Sequence, residues 1–132
     1  MTPITVTADR TRFLRLALAL DAVVTGVNGL VYLAAAAPVG DLLGPDAGLL
    51  REIGVFLLVY TAGVAFVAFR PKDAAVKAVI ALNAVWTLAS IAAVVFGLLE
   101  FTTLGAVWAI AQALVVGVFA ELQIMGLRKA NR

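Results

Sequence analysis

The sequence contains no cysteine and no histidine. The first absence excludes disulfides, thiol redox chemistry and thiolate metal sites. The second excludes haem held by histidine and removes the usual proton shuttle near neutral pH. Titratable chemistry therefore falls to carboxylates, lysines or tyrosines. Charge is scarce as well: Asp, Glu, Lys and Arg make up 14% of 132 residues, against about 25% in an ordinary soluble domain. There is no phosphate-binding glycine loop, no zinc-protease helix signature and no nucleophile elbow. An enzyme built from this chain would have to work with carboxylates, amides and hydroxyls inside a membrane. The reading is therefore a protein without catalytic activity of its own, with no cofactor and no metal expected.

What the chain has in abundance is apolar side chains. They account for 64% of it, and the mean hydropathy is +1.08. Four apolar runs are long enough to cross a bilayer, where a helix needs about 20 residues. They lie at about 14–37, 51–69, 74–99 and 104–127, between a segment 1–12 and a basic tail 128–132. Residues 1–11 are polar and are expected to fray or lie at the membrane surface. The first run is longer than a typical signal-peptide core and is read as a span. Residues 38–50 are rich in turn formers but also hold five leucines and valines, which suits a short helix in the outer interface. Pro71 stops the second span. The expected fold is all-α, a transmembrane four-helix bundle.

Basic residues give an orientation. Arg10, Arg12, Arg15, Arg70, Lys72, Lys77, Arg128, Lys129 and Arg132 fall on one side, and only Arg51 on the other. Both termini are expected in the cytoplasm of a bacterial cell whose inner membrane holds the chain. The membrane surface accounts for the formal charge of +2, and nucleic acid is not an expected partner.

Asp21, Thr25, Asn28 and Tyr32 recur at helical spacing and so share one face of the first span. A carboxylate there is costly and needs a partner or a task. Part of this pattern recurs: Asp21, Thr25 and Asn28 correspond to Asn83, Thr87 and Ser90 at one offset. With that offset shortened by one, Arg51 and Tyr60 meet Gln112 and Glu121. The pattern suggests two parallel two-helix repeats. Asp21, Asn83 and Glu121 each lie six or seven residues inward from a basic anchor, about 9–11 Å at 1.5 Å per residue.

One reading has Asp21 and Glu121 facing each other across a hydrated cavity, binding a proton or cation. Asn28 and Asn83 are further binding candidates, with Thr25, Tyr60, Trp86, Ser90 and Gln112 as pocket-lining candidates. The other reading has each carboxylate satisfied locally, by Asn83, by Thr25 or Gln123, or by long basic side chains. Glycines such as Gly26, Gly29, Gly54, Gly63 and Gly117 are read as packing positions, and Trp108 as part of an aromatic belt.

The short basic amino terminus, L-D-A-V-V-T-G-V-N-G from Leu20 and N-A-V-W from Asn83 resemble small four-span membrane proteins of high-GC actinobacteria. In outline the chain is also similar to the DoxX-like group, over almost its whole length. That likeness implies a membrane oxidoreductase subunit but carries over no site residues. The four-span small multidrug transporters place an essential glutamate in the first span, to which Asp21 is the nearest counterpart. Their surrounding aromatic and glycine signatures are missing here.

Three functions follow as expectations. The first is binding of a lipid or hydrophobic ligand, or service as a subunit of a membrane complex. The second is a small proton-coupled transporter, and the third a DoxX-like subunit. Membrane lipids are the expected partners, with a homodimer or another membrane subunit as further options.

Overall fold

The computed structural model describes residues 3–131, and the side chains of residues 11–131. The described chain is all helix and connection: α1 (Pro3–Ala34), α2 (Ala36–Leu43), α3 (Ala47–Phe69), α4 (Asp73–Val95) and α5 (Thr103–Ala130). Helices α1, α3, α4 and α5 are each long and apolar enough to cross a membrane. They are the four expected spans, and the chain has the build of a multi-pass membrane protein.

Several boundaries differ from the sequence reading: α3 starts at Ala47 and not at about 51, α4 ends at Val95 and not at about 99, and both ends of the first helix shift. The first helix runs from Pro3 with no break before the apolar run, so the polar segment is its first turns. Proline suits this start, because the first turn leaves its N–H groups unbonded in any case. At the other end α1 stops at Ala34, and Pro38 falls within the first turn of α2.

The connections are held by local chemistry. Asp46 caps α3, its carboxylate accepting from the Gly48 N–H at 2.9 Å. Thr102 caps α5 through the Gly105 N–H at 3.0 Å, and its own N–H donates to the Leu43 carbonyl at 2.9 Å. The Thr102 hydroxyl also donates to the Leu42 carbonyl at 2.7 Å. Together these bonds fasten α2 across the end of the bundle far from the two termini, called the outer end. Gly44, at φ 111°, and Gly105 have no room for a Cβ beside Glu100 and Leu43. At the opposite end Lys129 sits 4.7 Å over the Phe13 ring, and Asn131 donates to Asp73 at 3.2 Å.

Helix α1 is the spine of the bundle. It packs along α3 on one side and α5 on the other, and α4 leans on α5 while scarcely touching α3. Glycines set how close the packed helices come. A Cβ on Gly54 would lie 2.8 Å from the Gly29 carbonyl oxygen of α1, and one on Gly126 would lie 2.8 Å from the Leu14 Cα. Leu14, Leu18, Ala22, Val64, Val67, Val76, Val79 and Leu127 form the core in the half that the basic residues flank. Leu16, Leu20, Val23, Val27, Leu30, Phe66, Leu88 and Val107 are exposed, as lipid-facing side chains would be.

Gly126→Ala is expected to force α1 and α5 apart and to lower stability by about 1–3 kcal/mol. Gly63, beside which nothing lies within 4 Å, is expected to accept alanine with no loss, since alanine favours the helix by about 1 kcal/mol. Reversible unfolding of the two variants in mixed micelles measures the contrast.

Candidate functional site

The polar residues of α1 point at α4 and α5, and Asp21 is the centre of what they meet. Its side chain is 0% exposed, and three donors from three helices converge on its oxygens. The Thr25 hydroxyl, one turn on in α1, donates to Oδ1 at 2.9 Å. Asn83 Nδ2 of α4 and Gln123 Nε2 of α5 each donate to Oδ2 at 2.8 Å. Asn83 uses its second amide hydrogen on Gln123 Oε1 at 3.0 Å. Its own Oδ1 accepts from the Tyr60 hydroxyl of α3 at 2.9 Å. One connected cluster therefore takes a residue from each of the four long helices. A buried carboxylate left without donors is costly in a low dielectric, and here the helices themselves supply them.

Nearer the outer end the same face of α1 makes two further pairs with α5. Asn28 Nδ2 donates to Gln112 Oε1 at 2.9 Å, and Trp108 Nε1 donates to the Tyr32 hydroxyl at 2.8 Å. Thr87 of α4 donates to the Asn83 carbonyl at 2.9 Å and to the Ala113 carbonyl of α5 at 3.3 Å. Polar pairs thus tie α1 to α5 and α4 to α5 along much of their length.

No comparable ties join α3 to α4 above Tyr60 among the described residues, and a cleft opens there. It holds two cavities that share Trp86 and Ala89 in their walls. The inner one, of about 140 Å³, lies between Phe56, Leu57 and Tyr60 of α3 and Leu82, Asn83 and Val85 of α4. Thr25 and Val116 form its floor. The outer one, of about 210 Å³, reaches from Trp86 to Leu43, Leu99 and Phe101 near the outer connections. Both far exceed the roughly 10–15 Å³ that one water requires. Three aromatic rings mark the cleft: Phe56 stacks on Tyr60 at 6.1 Å and on Trp86 at 6.0 Å, with ring planes within 10°.

The structure brings most of the candidate residues together. Asp21, Asn83 and Thr25 share the central cluster with Tyr60, while Trp86 lies in the walls of both cavities and Ser90 and Gln112 in those of the outer one. Asn28 reaches the outer cavity only through Gln112. Glu121 is elsewhere: it is exposed, and the layer opposite Asp21 is completed by Gln123. Two helix positions turn the chain by about 200°, so Glu121 faces away from the bundle when Gln123 faces inward. The picture of Asp21 and Glu121 facing each other across a cavity is therefore replaced by a carboxylate with three neutral donors. Asp21 itself lies in the wall of neither cavity. Gln123 enters the sequence reading as a local partner for a carboxylate, and its spacing carries a further signal. Gln112, Val116, Phe119 and Gln123 follow at helical steps, the face that a bundle buries.

Gln123→Leu is expected to cost about 1–2 kcal/mol, since it removes an interhelical hydrogen bond and leaves Asp21 with one donor fewer. Glu121→Gln is expected to change stability by less than about 0.5 kcal/mol. Unfolding of both variants in the same micelles checks the assignment of the fourth-helix partner.

The chain matches no family model, no curated protein and no solved structure.

Proposed function

We propose that this is a non-catalytic integral membrane protein that holds a lipid or other hydrophobic molecule in the cleft between α3 and α4. Its place is a bacterial cytoplasmic membrane, with both termini inside, as the one-sided basic residues indicate. The observation that carries this reading is the cleft itself. Its two cavities form one path along α4 with largely apolar and aromatic walls, and a few polar groups sit in its depth. That is the usual make-up of a small-molecule site.

A two-helix repeat supports the view that the cleft is built into the chain. Gly54-Val55-Phe56 of α3 returns as Gly117-Val118-Phe119 of α5, and Gly63 returns as Gly126, each 63 residues later. This register sets Tyr60 against Gln123 instead of Glu121, and the hydrogen bonds follow it. Gln123 donates to Asp21, and Tyr60 donates to Asn83, the counterpart of Asp21. The α3–α4 seam is then the twin of the α1–α5 seam. In the α1–α5 seam Gly126 lies against Leu14, and Phe119 is 9% exposed. In the α3–α4 seam Gly63 meets nothing, and Phe56 is 50% exposed. At the position of Val24 in α1 stands Trp86 in α4, whose ring props against Phe56. A bulkier side chain thus stands where the twin seam closes.

A proton-coupled transporter is the second reading. It is supported by the nearness of Asp21 to the inner cavity, whose walls include Thr25 and Asn83, both bonded to it.

Ala89→Phe places a ring at the junction of the two cavities. It is expected to abolish retention of lipid seen by native mass spectrometry after extraction in mild detergent, with helicity unchanged. Undiminished retention would place the ligand elsewhere. Asp21→Asn separates the second reading: a proton-coupled transporter loses pH-dependent uptake, whereas a binding protein keeps its lipid.

A further inference from the structure

Several of the polar groups around the outer cavity have unspent hydrogens. Gln112 gives its Oε1 to Asn28, and its Nε2 has no partner among the described residues. Tyr32 accepts from Trp108 through its hydroxyl oxygen, and its own proton is likewise unspent among the described residues. Ser90 has no hydrogen-bond partner among the described residues either. The Ser90 hydroxyl and the Gln112 amide nitrogen are not sealed off, since the Thr61 hydroxyl is the sole enclosed and unbonded side-chain nitrogen or oxygen among the described residues. The lining residues include no charged side chain.

Free donors with no base beside them define the complement. A ligand must bring acceptor oxygens, because an unmet donor in a dry site is costly. It must also be uncharged, because an anion stripped of water needs a cation that this wall lacks. Depth narrows the class further. Ser90 stands thirteen residues beyond Lys77, about 20 Å along the helix from the cytoplasmic anchor, and so about 10 Å beneath the opposite surface of a ~30 Å core. A phospholipid whose ester groups reached Ser90, the deepest of the three donors, would draw its phosphate below the surface into hydrocarbon.

Length fits a single tail. The cleft follows α4 from Leu82 to Ala93, about 16 Å, or about half of the hydrocarbon core.

Building on the cleft as a ligand site, we infer that it is selective for a neutral acyl ester lipid of the diacylglycerol type. The ester carbonyls accept from Ser90, Gln112 and Tyr32, and one hydrocarbon tail runs past Trp86 and Ala89 toward Tyr60. No anchoring charge is needed, and the whole ligand enters from the bilayer between α3 and α4.

Both tryptophans of the chain line this cleft, so quenching by brominated chains reads occupancy directly. The probes, added to the reconstituted protein, are a diacylglycerol, a phosphatidylglycerol and an alkane, each carrying a dibrominated chain. The diacylglycerol is expected to quench saturably, with a midpoint at least about tenfold lower than either of the others. Ser90→Ala alone should raise that midpoint about threefold, and Ser90→Ala with Gln112→Met about tenfold, toward that of the alkane, whose own midpoint stays put. Equal midpoints for diacylglycerol and alkane would overturn the selection by donors while leaving the cleft as a ligand site. Preference for phosphatidylglycerol would overturn the neutral class. Absence of saturable quenching by all three would remove the cleft reading as well. Ser90→Ala changes one exposed-to-cavity hydroxyl and leaves the packing intact, so it decides the point even where the double variant unfolds.

Discussion

Everything in this bundle is arranged around one carboxylate that cannot be left alone. Asp21 lies in the first span with no water-facing surface, and an unsatisfied polar group costs several kcal/mol in hydrocarbon. Its oxygens take hydrogen bonds from Thr25, Asn83 and Gln123, and Asn83 in turn takes one from Tyr60. Each of those residues sits on a different helix or turn. Once they are bonded, the rotation and height of all four long helices relative to one another are set. Apolar contact could not do this, because lipid tails are as apolar as leucine and give helices little reason to choose each other.

The same constraint explains why the bundle is uneven. Close glycine contacts and polar pairs bind α1 to α3 and α5, and Thr87 binds α4 to α5. Between α3 and α4 the bond from Tyr60 to Asn83 acts at the level of the cluster, with the Tyr60 hydroxyl also near the Val79 carbonyl. Beyond it the seam has two stacked aromatic rings and empty space. In water such a gap would close under the hydrophobic effect. In a membrane no such force acts, and a gap lined by apolar walls can stand if a lipid or ligand fills it. A cleft on the side of a membrane bundle is thus an outcome of where the interhelical bonds were placed.

The spans were legible because length and hydropathy act locally, and each apolar run is bounded by charges or proline. The polar face of α1 was legible for a similar reason: Asp21, Thr25, Asn28 and Tyr32 follow the helical period, whatever they meet. Even the pairing of Asp21 with Asn83 showed through the recurrence of neighbouring residues. Rotation was harder to read. Glu121 and Gln123 lie two positions apart, and hydropathy along α5 does not say which one turns inward, since glutamate is the more conspicuous residue. The Gly-Val-Phe recurrence 63 residues apart carries the register of α5, but it stands among alanines and leucines that match at many offsets. The lining of the cleft was legible in part, since Thr25, Tyr60, Trp86, Ser90 and Gln112 all lie in its walls, but its place between α3 and α4 was not. It follows from a Trp86 where the twin position holds Val24, and from the absence of a contact, which no residue pattern announces.

Two seams of similar sequence stand at different widths in this bundle. Val55 and Val85 are exposed on α3 and α4, Val85 also in the wall of the inner cavity, and their counterparts Val118 and Val23 are exposed on α5 and α1. The chain has no native cysteine, so spin labels can be attached to each pair in turn. Distances measured by electron resonance in lipid nanodiscs should be longer for the Val55–Val85 pair than for the Val23–Val118 pair. Equal distances would mean that both seams are closed and that no standing cleft exists between α3 and α4.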